Sequence, residues 1–255
     1  MYLSPRHAEI VQMAKDNGRV LVDDLATHFN VTPQTIRKDL NDLCDQRLLT
    51  RIHGGALFPS GIENMQYEAR RKIAAGEKEA IGRAAARLIP DHASLFVNIG
   101  TTTEAVSSAL LDHEGLMVIT NNINVANRMR VYPSFEVVIA GGVVRGSDGG
   151  IVGEAAVDFI RQFKVDYAVI GASAIDQDGA LLDFDFREVK VAQAIIANAR
   201  HVILVADSTK FERTAPVRIG HLSQVDTFIT DECTIDGLRT ICHDSEVQLV
   251  ETSRS

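Results

Sequence analysis

Gly100-Thr101-Thr102-Thr103 stands where an apolar run ends and a helical pattern begins. Glycine lets a backbone approach a ligand closely, and threonine hydroxyls with free N–H groups at a helix start suit a phosphate. A second reading is open, because Thr101-x-x-Glu104 also has the spacing of a capping box, which requires no ligand. Other apolar runs end in similar residues: Thr120-Asn121-Asn122, Gly141-Gly142 with Arg145, Gly171-Ala172-Ser173 and Asp207-Ser208-Thr209-Lys210. Gathered at one edge, they make the inventory of a site for a small hydroxylated anion and tip the choice toward phosphate. There is no Walker-type Gly-x-x-x-x-Gly-Lys-Ser/Thr, and Gly149-Gly150-x-x-Gly153 reads as a turn before a helix, not as a dinucleotide fingerprint. A second chemistry lies near the start of the chain, where Gln34, Thr35, Arg37, Lys38 and Asn41 combine amide, hydroxyl and cationic groups suited to base edges and phosphates. Cys44, Cys233 and Cys242 have no metal-ligand spacing and read as reduced packing thiols.

The elements that must position these residues differ between two parts of the chain. Val22, Leu25, Ala26 and Phe29 follow the i, i+3, i+4, i+7 spacing of an amphipathic helix, and Asn30-Val31 gives a turn. Thr32-Pro33 then starts a second helix, the Thr hydroxyl capping an orphan N–H and Pro having none to waste. Ile36, Leu40 and Leu43 line its buried face, so Gln34, Lys38 and Asn41 point outward, flanked by Thr35 and Arg37. Two short helices around a tight turn are what a helix-turn-helix requires. Two extended runs follow around His53-Gly54-Gly55, a hairpin wing with Arg51 and His53 near its tip. The later part alternates apolar runs (94–98, 116–120, 136–140, 165–171, 202–206, 227–230 and 246–250) with helical patterns such as 103–111, 122–131, 153–162 and 189–198. That alternation predicts an α/β domain with a mostly parallel sheet covered on both faces, whose ligands bind at the carboxyl ends of its strands.

Composition agrees with a foldable chain: 45% of the 255 residues are hydrophobic and 24% charged, which excludes extended disorder. The longest apolar runs fall far short of the ~20 residues of a membrane span, and no basic-then-apolar leader opens the sequence, so a cytoplasmic location is expected. The formal charge of −8 argues against a nucleic-acid binder until it is divided along the chain. Residues 1–58 hold seven basic and seven acidic groups; the remainder holds 19 and 27, and with them the whole excess. The basic groups of the first part therefore remain available to one helix and a wing. Boundaries are expected at 1–58 for the DNA-reading part, 59–76 for a linker and 77–255 for the rest.

Thr32-Pro33-Gln34-Thr35-Ile36-Arg37-Lys38-Asp39-Leu40, followed by Arg51-x-His53-Gly54-Gly55-Ala56, resembles the N-terminal signature of the DeoR-type bacterial repressors. The likeness runs on through Glu77-Lys78, Ile99-Gly100-Thr101-Thr102, Thr120-Asn121-Asn122, Ala140-Gly141-Gly142 and Asp207-Ser208-x-Lys210-Phe211. It implies a winged helix-turn-helix joined to an α/β/α sensor domain similar to ribose-5-phosphate isomerase, homo-oligomers, double-stranded operator DNA as partner, no cofactor and no metal. Thr32, Gln34, Thr35, Arg37, Lys38, Asn41, Arg51 and His53 are then the expected DNA contacts. Residues 120–127, 148–155 and 194–202 are similar to the members that govern glycerol 3-phosphate catabolism, which implies that molecule as the effector. The expected effector residues are Lys78, Gly100, Thr101, Thr102, Thr103, Asn121, Gly142, Arg145, Asp183, Glu188, Asp207 and Lys210. Another phosphorylated sugar would suit the same groups.

An enzyme is the rival. The isomerase carries a strand-end Asp-Gly-Ala-Asp-Glu where this chain reads Ile170-Gly171-Ala172-Ser173-Ala174, and no lysine lies between Lys164 and Lys190 to match its lysine loop. Glu188 matches its base position, while Lys78 and Thr101 to Thr103 match its phosphate side. Aldose-ketose isomerisation needs a base, a second acid/base group and a cation at the developing oxyanion. The binding groups survive and the catalytic set does not, which predicts a sensor.

Overall fold

A computed structural model describes residues 4–17, 19–46, 48–52, 54–57 and 67–252. The chain divides into two compact units, Met1–Glu63 and Asn64–Ser255.

The first unit contains α1 (Pro5–Asn17), β1 (Arg19–Leu21), α2 (Val22–His28), α3 (Pro33–Asp45), β2 (Thr50–Ile52) and β3 (Gly55–Leu57). Ile10, Leu25, Ile36, Leu40 and Leu43 are fully buried in one core, so the apolar spacing read from the sequence is the packed face. Thr32 caps α3 as its composition predicts, accepting the Thr35 N–H at 3.2 Å with Pro33 opening the helix. Asn30, with φ at 51°, makes the sharp turn between α2 and α3. The three strands pair antiparallel in the order β1-β3-β2, giving the wing. Buried Asp39 ties α1 to α3: it accepts from Arg6 at 2.8 and 3.0 Å and lies 3.1 Å from His7. Burial pushes its carboxyl up, but the Arg6 and His7 bonds outweigh that and hold it below the usual range.

The second unit runs α4 (Tyr67–Lys72), α5 (Ala75–Ala86), β4 (Ser94–Val97), α6 (Thr101–Ala109), β5 (Met117–Thr120), α7 (Ile123–Met129), β6 (Glu136–Ile139), β7 (Val143–Val144), β8 (Ile151–Val152) and α8 (Glu154–Ile160). It continues through β9 (Val165–Ile170), β10 (Ala174–Ile175), β11 (Ala180–Asp183), α9 (Phe186–Ala197), β12 (Ala199–Val205), β13 (Val217–His221), β14 (Thr227–Thr230), α10 (Asp236–Asp244) and β15 (Gln248–Glu251). Seven strands form an all-parallel sheet in the order β15-β14-β12-β9-β4-β5-β6. A core with α5, α6 and α7 covers one face and a core with α8, α9 and α10 the other, the three-layer arrangement that alternating runs require. From β4 the chain winds outward through β5 to β6; from β9 it winds the opposite way through β12 and β14 to β15. β4 and β9 are neighbours, so the winding reverses between their carboxyl ends, where open α/β sheets hold their ligands.

The segment expected to be a linker differs in its described part. Residues 67–72 form α4, and buried Lys78 donates to the carbonyls of Arg70 and Ile73, both at 2.6 Å. Residues 58–66 lie outside the described residues. No helix among the described residues is long and apolar enough to cross a membrane.

Candidate effector site and nucleic-acid interface

At the winding reversal a cavity of about 30 Å³ is lined by Ile99 to Thr103 after β4, Gly171 to Ser173 after β9, Val205, and the side chains of Arg70, Asp183, Glu188 and Lys210. Its floor is the start of α6. Gly100 has φ at 149°, open to glycine, and its carbonyl with that of Asn98 accepts the Thr103 hydroxyl at 2.8 Å each. Thr103 therefore holds the loop in shape, leaving Thr101 and Thr102 at the helix start. The capping-box reading fails: α6 has no side-chain cap, and the Glu104 carboxylate instead accepts from Tyr67 at 2.5 Å, Asn122 at 3.1 Å and Asn124 at 3.0 Å.

Opposite the loop, charges interlock. Asp148, 1% exposed, accepts Arg145 at 2.8 and 2.7 Å, Arg70 at 3.1 Å and the Gly150 N–H at 3.2 Å. Burial raises its carboxyl, and these partners outweigh burial and hold it low. Arg145 also reaches Asp185 at 3.3 Å and Glu188 at 2.5 Å. Its guanidinium is already matched by Asp148, so burial and the Asp183 charge keep Glu188 up at about 8 despite that contact. Burial thus favours the protonated carboxyl at Glu188, a form able to donate as well as accept. Asp183 accepts the Ser173 hydroxyl at 2.8 Å and the Phe184 N–H at 2.6 Å. Burial pulls Lys210 down to about 8, opposed by Asp207.

Of the residues expected at an effector site, Gly100, Thr101, Thr102, Thr103, Asp183, Glu188 and Lys210 meet around this cavity. Arg145 stands behind Glu188 as its partner. Lys78 lies on backbone carbonyls, 3.9 Å from Asp207, whose Oδ2 is buried without a hydrogen-bond partner. Asn121 donates to the Ile151 carbonyl, and Gly142, at φ 147°, packs where a Cβ would meet Ile151 and Val152 at 3.0 Å. Arg145, Lys78, Asp207, Asn121 and Gly142, five of the expected residues, do not line the cavity. Arg70 and Asp148 were missed as site residues, and Ser173 was named only among the strand-end residues. Arg70 fell in the supposed linker, where a six-residue helix leaves no periodic signal.

On α3, Gln34, Arg37, Lys38 and Asn41 are exposed together and Thr35 is half-buried. The Thr32 and Thr35 hydroxyls are 2.9 Å apart, engaged in the cap. Arg51 is exposed on β2, and His53 lies outside the described residues.

Two family models match consecutive parts of the chain, the DeoR-like helix-turn-helix domain over residues 6–61 and the DeoR C terminal sensor domain over residues 73–232. The chain belongs to the DeoR family of transcriptional repressors. It is 46% identical over 249 residues to the glycerol-3-phosphate regulon repressor of Escherichia coli strain K12, covering 98% of this chain and 99% of that one. The Haemophilus influenzae protein of the same name is 46% identical over 250 residues, covering 98% and 97%. A ribose 5-phosphate isomerase from Methanocaldococcus jannaschii superposes with a TM-score of 0.40 at 13% identity, covering 54% of this chain and 55% of that one. Near relatives of this DeoR-family chain carry the names of repressors, not enzymes, and the isomerase likeness is distant.

Proposed function

We propose that this DeoR-family repressor controls genes of glycerol and glycerol 3-phosphate catabolism and leaves its operator when glycerol 3-phosphate binds. In this reading it works in the cytoplasm as a homo-oligomer whose two-fold symmetry matches an inverted-repeat operator. α3 enters the major groove with Gln34, Thr35, Arg37, Lys38 and Asn41, Thr32 fixes its first turn, and the wing at Arg51 and His53 adds backbone contacts.

The observation that carries the effector assignment is the polar cavity at the winding reversal. A phosphate there meets the Thr101 and Thr102 end of α6, Arg70 and Lys210. Asp183, Ser173 and the protonated Glu188 offer the mixed donors and acceptors that polyol hydroxyls need. About 30 Å³ holds on the order of two water molecules, so the effector enters by displacing the pairs that close the cavity. Its phosphate competes with Asp148 for Arg70, which belongs to α4, the first described element after the DNA-reading unit in the chain. By linkage, an effector that weakens operator binding itself binds less well to the DNA-bound form, a coupling typically on the order of 1–3 kcal/mol.

The name shared by the 46% identical relatives supports the choice of glycerol 3-phosphate. An operator gel shift titrated in parallel with glycerol 3-phosphate, glycerol and several sugar phosphates tests it. Release by glycerol 3-phosphate alone is expected; release only by another sugar phosphate overturns the effector and leaves the family assignment intact.

A further inference from the structure

The cations near the cavity at the winding reversal differ in how they are held. Arg145 is clasped by Asp148, Asp185 and Glu188, Arg70 pairs with Asp148, and Lys78 lies on two backbone carbonyls. Arg213 is held by none of these means. It follows Lys210 by three residues, on the segment that leads from the carboxyl end of β12 to β13, and it is half-buried. Among the described residues no hydrogen bond or ion pair engages its guanidinium. The contact it makes is with a ring: the guanidinium lies over Phe184, 5.9 Å from the centroid.

That ring is tied to the cavity wall. The Phe184 N–H donates to the Asp183 carboxylate at 2.6 Å, the same carboxylate accepts the Ser173 hydroxyl, and Asp183 and Ser173 both line the cavity. The charges of the site also reach Arg213. Burial, and after it the Arg70 charge, pulls Arg213 below the ordinary arginine value, while Asp207 and Asp183 oppose the fall without pairing with it. Arg213 in turn adds to the burial that lowers Lys210. On its other side Arg213 borders an outer hollow with Asp176, Asp178 and Glu212, and it forms an ion pair with none of the three. Asp178 faces Arg218 at 3.9 Å instead.

We infer that Arg213 is a further effector-binding residue, which leaves the Phe184 ring and forks the phosphate group beside Lys210 and Arg70. This role rests on the reading of that cavity as the effector site. An arginine keeps its charge and presents five donors in a planar fork. Two charge-assisted bonds to phosphate outweigh one contact with the face of a phenylalanine, so the exchange runs toward the anion. A neutral polyol offers the guanidinium no such bonds. Arg213 therefore sharpens the choice of a phosphorylated ligand over its unphosphorylated counterpart.

Calorimetric titration of the full chain with glycerol 3-phosphate, well below the melt of every variant, tests this. Arg213→Gln is expected to raise Kd by about tenfold or more, the loss of a charge-assisted contact. Arg213→Lys keeps the charge without the fork and is expected to recover at least about threefold of that loss. Arg213→Gln binding within about twofold of the wild type overturns the assignment, as does Arg213→Lys binding no better than Arg213→Gln. Lys210→Ala separates the two readings: if it loses the ligand while Arg213→Gln keeps it, the cavity remains the effector site and Arg213 alone is struck out. If the wild type shows no saturable binding of glycerol 3-phosphate, ribose 5-phosphate or glucose 6-phosphate up to about 10 mM, the effector reading falls and the role of Arg213 falls with it.

Discussion

Glu188→Gln removes one buried titratable group with little change in size. Burial and Asp183 hold Glu188 at about 8 in the native protein, against roughly 4.3 for an unperturbed glutamate. Between those values the native state keeps a proton that the unfolded chain has released, so this group makes stability fall as pH rises. The fall is about 1.4 kcal/mol per pH unit, starts near the unfolded value and is complete above about 8. Glutamine carries no such dependence. The stability of the variant minus that of the wild type is therefore expected to rise by about 2 kcal/mol between about pH 6 and about pH 7.5. Urea unfolding followed by tyrosine fluorescence reads chiefly the sensor unit, since three of the four tyrosines, Tyr67, Tyr132 and Tyr167, belong to it and the chain has no tryptophan. Parallel stability curves for the two proteins would refute the reasoning. Such parallel curves are what an ionised Glu188 would give, the 2.5 Å contact with Arg145 having won over burial.

Lys38→Ala is expected to weaken operator binding by about tenfold and to reduce its salt dependence, with effector binding unchanged by calorimetry; unaltered operator affinity would remove α3 from the interface. Asp39→Asn breaks the bonds that join α1 to α3 and is expected to destabilise the first unit by about 2 kcal/mol. Hydrogen exchange of the α3 amides reads that loss, and because Asp39 is held low the wild-type advantage disappears as pH falls through the acid range below about 4. Gly100→Ala forces a Cβ into φ near 149° and to 3.2 Å from the Thr103 hydroxyl, so a loss of about 1–3 kcal/mol and weaker effector binding are expected. An unchanged melting temperature would deny the loop its strain.

The parallel strands were legible because each is a short apolar run closed by small polar residues, as at Leu95 to Gly100 and Ala168 to Ser173. Their order was not, since nothing in Val97 or Ile170 says that β4 and β9 are neighbours, and the site depends on that adjacency. Two-residue strands such as β7, β8 and β10 carry no period to read. The Thr101-x-x-Glu104 spacing misled for a related reason. A glutamate three residues into a helix satisfies a cap only when no stronger donors compete, and the fold brings Tyr67, Asn122 and Asn124 to it from a distance in sequence. Lys78 shows the same limit: its type suggests an anion ligand, but the backbone of Arg70 and Ile73 claims its ammonium first.

Those competing partners bear on how a small anion is read at all. Arg70, Arg145, Asp148 and Glu188 are out of water before any ligand arrives, so the desolvation of the site is a cost of folding and not of binding. An incoming phosphate that takes Arg70 from Asp148 exchanges one buried pair for another. Arg145 keeps Asp148 paired while that happens, with contacts at 2.8 and 2.7 Å that do not involve Arg70. The exchange therefore strands no charge, and the free energy left over is set by the fit of the hydroxyl side against Asp183, Ser173 and Glu188. On this account neutral glycerol, which cannot claim Arg70, leaves the Arg70–Asp148 pair closed and the operator occupied.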